Sequence, residues 1–139
     1  MEEEEMSSIE KIEGIGAAYQ KKLVAYGIKT VEALLKQGAT SGGREKIATG
    51  TGISKTLILE WVNHGDLWRI KGVSEEYSDL LEEAGVDTVV ELAQRKPENL
   101  YKKMGEVNMV KKLVRRLPSP KQVADWVAQA KKLPRGVSY

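Results

Sequence analysis

The 139-residue sequence contains no cysteine, a single histidine and an aromatic content of only 6%. Without cysteine there are no disulfides and no thiolate metal ligands, which fits a reducing compartment. His64, standing alone, argues against a metal centre and against imidazole-based catalysis. No apolar run approaches the roughly 18 residues of a membrane span, and the glutamates at 2–5 have the wrong sign for a signal peptide. A phosphate-binding loop, a serine nucleophile elbow and a dinucleotide fingerprint are all missing. A non-catalytic, cytoplasmic protein is expected, with no cofactor, no small-molecule substrate and no membrane partner.

Against these absences stands an internal repeat. Residues 12–34 recur, offset by 58, at residues 70–92, with eight of 23 positions identical. Ile12, Gly14, Tyr19, Leu23, Gly27, Thr30, Val31 and Leu34 return as Ile70, Gly72, Tyr77, Leu81, Gly85, Thr88, Val89 and Leu92. Leu59-Glu60-Trp61-Val62 is echoed by Ala124-Asp125-Trp126-Val127, after about seven extra residues in the second half. Repetition at this spacing implies two copies of one supersecondary unit. Hydrophobic content of 41% and charged content of 30% suit an ordinary globular chain able to bury a core.

The net charge of +2 conceals segregation. Residues 70–92 hold seven acidic side chains and one lysine, whereas 95–135 hold twelve Lys or Arg against Glu98, Glu106 and Asp125. Such asymmetry bears on partners rather than on fold.

Periodicity predicts helices throughout, hence an all-α fold. Ser7 or Ser8 is expected to cap a short helix with Ile9 and Ile12. Ala17 to Tyr26 follows the Gly14-Ile15-Gly16 turn, with Tyr19, Leu23 and Tyr26 on one stripe and Gly27 as its stop. Thr30 caps a helix through Leu35. Residues 39–43 read as a loop, Arg44 to Thr49 as a short helix, Ser54 as the cap of a helix to Val62, and Asp66 as the next start. In the second copy helices are expected from Glu75 to Ala84 and Val89 to Arg95, then from Pro97 through Met104 and over Val110 to Leu117. Ser119-Pro120 launches the last helix through Lys132. The expected organisation is an acidic disordered tail (1–8), a first repeat (9–67), a second repeat with basic trailing helices (68–133) and a tail (134–139).

A short helix, a hydrophobic-Gly-hydrophobic-Gly turn and a second helix resemble the helix-hairpin-helix motif. Ile12-Glu13-Gly14-Ile15-Gly16 carries the likeness, and Ile70-Lys71-Gly72-Val73-Ser74 carries it with serine in place of the second glycine. Two such units resemble the double helix-hairpin-helix domains of DNA repair and recombination proteins. Gly38-Ala39-Thr40, Gly43-Arg44, Thr51-Gly52-Ile53-Ser54, Leu59-Glu60-Trp61-Val62-Asn63, Asp66-Leu67, Ala84-Gly85-Val86-Asp87-Thr88-Val89, Pro97-Glu98-Asn99-Leu100 and Trp126 are similar to an uncharacterised family, domain of unknown function 4332. That likeness runs from about residue 9 to 133 and implies the fold without implying a role.

The resemblance implies a phosphate site at Gly14, Ile15, Gly16, Ala17 and Ala18, aided by Lys21 and Lys22. Turn glycines admit a close ligand, and the free amides and positive dipole end of the next helix favour an anion. Such a grip holds backbone phosphates without reading bases. The same turn also serves simply to join two helices, and Glu13 within it opposes an anion. At the second turn, Glu75 and Glu76 would repel a phosphate.

The copies diverge on one helix face. Ala17, Ala18, Lys21, Val24 and Ala25 form a small, nearly neutral face that either packs inward or admits another backbone. Its counterpart, Glu75, Glu76, Asp79, Glu82 and Glu83, is wholly acidic and either solvated or a dock for a basic partner. In the expected 110–117 helix, Val110, Leu113, Val114 and Leu117 form an inward stripe opposite Lys111, Lys112, Arg115 and Arg116. Trp61 and Trp126 are expected core anchors. Two functions follow: sequence-independent nucleic-acid binding, most simply to DNA, or a protein-interaction or self-assembly module that has lost it.

Overall fold

Apolar side chains at helical spacing, divided by threonine caps and glycine stops, dictate a succession of short helices. The computed structural model describes residues 8–12 and 14–139. Ser7, Glu13 and the acidic tail expected at 1–8, apart from Ser8, lie outside the described residues. Among those described there are eight α-helices and, beyond a lone bridge between Ser8 and Thr30, no β-structure. A 3₁₀ turn (Ile9–Lys11) precedes α1 (Ala17–Tyr26), α2 (Val31–Gln37), α3 (Ser41–Thr51) and α4 (Lys55–Leu67). Then come α5 (Glu75–Glu83), α6 (Val89–Ala93), α7 (Pro97–Lys111) and α8 (Pro120–Lys132). The chain divides into two compact units, one of residues up to Asp66 with Gly136–Tyr139, the other Leu67–Arg135.

In the first unit α1 ends at Gly27, whose φ of 112° places it in the left-handed region that favours glycine. The Ile28 N–H then donates to the Leu23 carbonyl at 2.8 Å, and Thr30 Oγ1 accepts from the Ala33 N–H at 3.0 Å to start α2. Leu23, Ile28, Val31 and Leu34 are buried with Ile9, Ile12 and Ile15. Trp61, also buried, stands 5.2 Å from the Tyr19 ring in a tilted pair.

Two boundaries differ from expectation. The glycines at 42 and 43 lie in the first turn of α3, because Thr40 Oγ1 accepts from the Gly43 N–H at 3.0 Å. A Cβ on Gly43 would stand 2.1 Å from the Gln37 carbonyl oxygen, so glycine here reflects close backbone approach rather than a loop. Helix α4 continues past Val62 and through Asp66. Gly65 sits in the last turn of α4, where a Cβ would come within 3.0 Å of Val31 Cγ1, so tertiary packing outweighs its poor helix propensity.

The second unit makes matching bonds at positions 58 further on. Gly85 has φ 97°, the Val86 N–H reaches the Leu81 carbonyl at 2.8 Å, and Thr88 caps α6 through the Glu91 N–H. Tyr77 and Trp126 form a tilted pair at 5.3 Å. Around Trp126 the core gathers Leu80, Leu81, Leu92, Leu100, Met104 and Val123. A capping box starts α8: Ser119 Oγ accepts from the Gln122 N–H at 3.1 Å, and Gln122 Oε1 from the Ser119 N–H at 2.8 Å.

The expected 110–117 helix is absent. Helix α7 runs beyond Met104 to Lys111 and stops at Lys112, whose φ of 51° is left-handed. The Asn108 side chain then accepts from the Val114 N–H at 2.9 Å and donates to the Val114 carbonyl at 3.1 Å. These two bonds satisfy backbone groups that a continuing helix would have paired, and Pro118 supplies no donor further on. Val114 is therefore buried, while Val110, expected on the inward stripe, is 80% exposed.

Candidate functional site

The first glycine turn is shaped by packing on one side and open on the other. Gly14 has φ 93°, and a Cβ there would lie 3.4 Å from Trp61 Nε1. Ile15 is buried beside it. Gly16, the N-cap of α1, has φ −84° and ψ −178°, which any residue adopts, and a Cβ on it would meet nothing within 4 Å. Neither strain nor crowding within the fold requires glycine there. No side chain caps α1 and its first turn carries no acidic residue. The first intrahelical bond runs from the Gln20 N–H to the Gly16 carbonyl at 2.9 Å, so the preceding amides lack an intrahelical acceptor.

Ala17, Ala18, Lys21 and Lys22 are all exposed. Ala17, Ala18, Gln20, Lys21 and Val24 line a shallow open hollow. The small face of α1 thus points outward rather than into the core, against one of the two expectations, because Leu23 alone is the residue α1 fully buries. Tyr26, expected beside Tyr19 and Leu23, is 37% exposed. Its ring covers Gly50, where a Cβ would come within 2.3 Å of Tyr26 Cε1.

At the corresponding turn of the second unit the openings are filled. Gly72 has φ 98° and abuts Trp126 Nε1, which a Cβ would approach to 2.9 Å. The Gln129 side chain brackets Lys71, accepting from its N–H at 2.9 Å and donating to its carbonyl at 3.1 Å. Glu75 and Glu76 occupy the first turn of α5. Ser78 is held inside, donating to the Glu75 carbonyl at 2.8 Å and accepting from Trp68 Nε1 at 2.9 Å. Of the acidic face, Glu76 and Glu83 are exposed and Glu75, Asp79 and Glu82 half-buried.

The basic segment lies along this same helix. Lys111 Nζ pairs with Glu83 at the C-terminal end of α5, and Tyr77 Oη donates to the Arg116 carbonyl at 3.1 Å nearer its start. Lys112, Arg115 and Arg116 are exposed. Part of the charge segregation in the sequence is thereby met within one unit. These cations are presented by the end of α7 and an irregular turn, not by a helix face. They belong to a different unit from the glycine turn that opens α1.

Arg44 escaped sequence reading. It is 2% exposed, donating from one guanidinium nitrogen to the Gly38 carbonyl at 2.7 Å and from the other to the Ser138 carbonyl at 2.6 Å. Burial lowers its pKa, while the electrostatic influence of Tyr139 opposes the shift. The Ser138 N–H also donates to the Ala39 carbonyl at 2.8 Å, so the segment expected as a tail is fastened to the first unit. Only the Gly43-Arg44 pairing beside a threonine cap hinted at this position.

The molecule is an all-α protein whose helix faces carry contrasting charge. The family model described as Domain of unknown function (DUF4332) matches residues 13–133, and the chain belongs to that family. Comparison with curated proteins and with solved structures finds no match to either. Among the described residues, no helix is long and apolar enough to cross a membrane.

Proposed function

We propose that the two units are a tandem of helix-hairpin-helix elements with divided roles, in a protein that binds nucleic acid without catalysis. The first hairpin grips backbone phosphates through the amides of Gly16, Ala17 and Ala18, with Lys21 and Lys22 beside them. The second has become a structural element. The observation that carries this reading is the contrast between the two helix starts. Helix α1 opens on an exposed, uncapped and acid-free turn, whereas α5 opens on two glutamates. The positive end of a helix dipole left without an internal counterion favours an external anion. Phosphate contacts alone fix position without reading sequence, so affinity for unrelated duplexes should be similar.

The test is a titration of the full chain against labelled single- and double-stranded DNA and RNA at two salt concentrations. A grip on about two phosphates gives a log–log salt slope near −2. Gly16→Glu should abolish binding with helical content unchanged, since its side chain meets open space, and Lys21→Ala should reduce the slope by about one. No binding at low salt would remove the nucleic-acid reading.

The second reading, a protein-interaction or self-assembly module, draws support from the exposed apolar part of α1, where Val24 is 38% exposed. Sedimentation across a concentration series separates it from the first. A concentration-dependent complex weakened by Val24→Asp or by charge reversal at Glu83, without nucleic-acid binding, would support it.

A further inference from the structure

Met109 and Val110, at the end of α7, are each 80% exposed, and they are the exposed large hydrophobics among the described residues of the second unit. They are not a frayed helix end. The left-handed Lys112 and the paired bonds between the Asn108 side chain and the Val114 backbone close the turn behind them, so both side chains stand exposed at a hydrogen-bonded helix end. Lys112, Arg115 and Arg116 follow within six residues of Val110 in the chain, all exposed, and Lys111 directly adjoins it, although Glu83 engages its ammonium. Glu106 lies one turn below Val110, and the four cations outnumber it and Glu83 together. An exposed aliphatic pair followed directly by a cationic segment calls for a partner that is anionic outside and apolar just beneath.

We propose that this turn docks peripherally on an anionic lipid surface, Met109 and Val110 entering the headgroup–acyl boundary while Lys112, Arg115 and Arg116 rest against headgroups. The inference stands on the second unit alone and is independent of the phosphate reading at α1. A lipid bilayer suits the aliphatic pair better than nucleic acid does. The tip presents no aromatic ring on which bases could stack, and wedging aliphatic groups into a duplex requires unstacking it. A bilayer boundary takes them without that penalty. Each cation near an anionic bilayer raises partitioning about fivefold, and each apolar side chain that leaves water adds roughly tenfold. Sequence reading placed Val110 on an inward stripe, which hid the tip.

The chain has no cysteine, so Val110→Cys labelled with an environment-sensitive fluorophore reports on the tip alone, and Glu45→Cys on the first unit serves as control. With vesicles of phosphatidylcholine containing phosphatidylserine, the label at 110 should shift to the blue and the label at 45 should not. Vesicles of phosphatidylcholine alone should leave both unchanged. In co-sedimentation of the otherwise unaltered chain, Met109→Asp should lower partitioning at least tenfold while Met109→Leu keeps it, with circular dichroism unchanged in both. Failure of the 110 label to respond, or partitioning indifferent to Met109→Asp, overturns the proposal. So does binding to duplex DNA that Met109→Asp abolishes, which would give the tip to nucleic acid.

Discussion

A methyl group on Gly72 would stand 2.9 Å from the Trp126 indole nitrogen on a backbone at φ 98°, whereas one on Gly16 would meet nothing within 4 Å at φ −84°. The repeat made the two turns look alike, and the side chains packed against them separate their roles. Gly72→Ala therefore combines left-handed strain with displacement of a buried tryptophan, and should cost about 2–3 kcal/mol in urea unfolding. Gly16→Ala should cost less than about 1 kcal/mol, the difference between glycine and alanine at an N-cap. Equal losses would mean that Gly16 serves the fold and would weaken its assignment to phosphate binding. The two tryptophans were legible as core anchors because they occupy matching places, each followed by valine and preceded two residues earlier by an apolar residue. Nothing in the sequence distinguished a glycine forced by φ from one left free.

Helix starts were legible where a threonine or serine reaches an amide three residues on, though not at Thr40, and helix ends at Gly27 and Gly85, where glycine turned left-handed. Thr30, Thr88 and Ser119 behave in this way. Ser119→Ala removes the side-chain half of the α8 capping box, the bond from the Gln122 N–H, and should lower stability by about 1 kcal/mol in thermal or urea unfolding. Reading failed at α7, whose end is set by a side chain reaching six residues forward rather than by a stop residue. Asn108→Ala should free the Val114 amide, cost about 1–2 kcal/mol, and quicken hydrogen exchange at Val114 while leaving α8 protected. Unchanged exchange at Val114 would show that Lys112 and Pro118 hold the turn without it. The glycines of α3 and Gly65 of α4 were misread for a related reason. Their meaning lies in what packs against them, Gln37 and Val31, and neither neighbour is marked by local pattern.

At the scale of the whole molecule, the charged blocks and the last residues matter most. Lys111 and Glu83 meet, so the acidic and basic blocks of the sequence are partly each other's counterions rather than two free patches. Arg44 joins residues 94 apart through the Ser138 carbonyl and holds Gly136–Tyr139 on the first unit. Arg44→Leu leaves the Gly38 and Ser138 carbonyls without their charged donor and should destabilise the protein by about 2–4 kcal/mol. Trypsin should then cut after Arg135 markedly faster. Arg44→Lys should restore little of this, because one ammonium lacks the planar fork that reaches two separate carbonyls. Unaltered cleavage in Arg44→Leu would show that the buried Val137 and the Ser138–Ala39 bond suffice to hold the segment.

The sequence by itself determined the helical class, the two glycine turns, the caps at Thr30, Ser54, Thr88 and Ser119, and the tryptophans of the core. Those features depend on backbone sterics and on hydrogen bonds within a few residues, which local spacing records. It also supplied the contrast between Gly16-Ala17-Ala18 and Ser74-Glu75-Glu76, since first-turn composition sets the charge at a helix start. Only the tertiary structure decided that the small face of α1 points outward, that Gln129 and Trp126 close the second turn, and that Arg44 is buried. It alone decided that Met109 and Val110 stand exposed. Each of these depends on which surface a distant segment covers. Burial is a property of neighbours brought together by folding, and no local period encodes it.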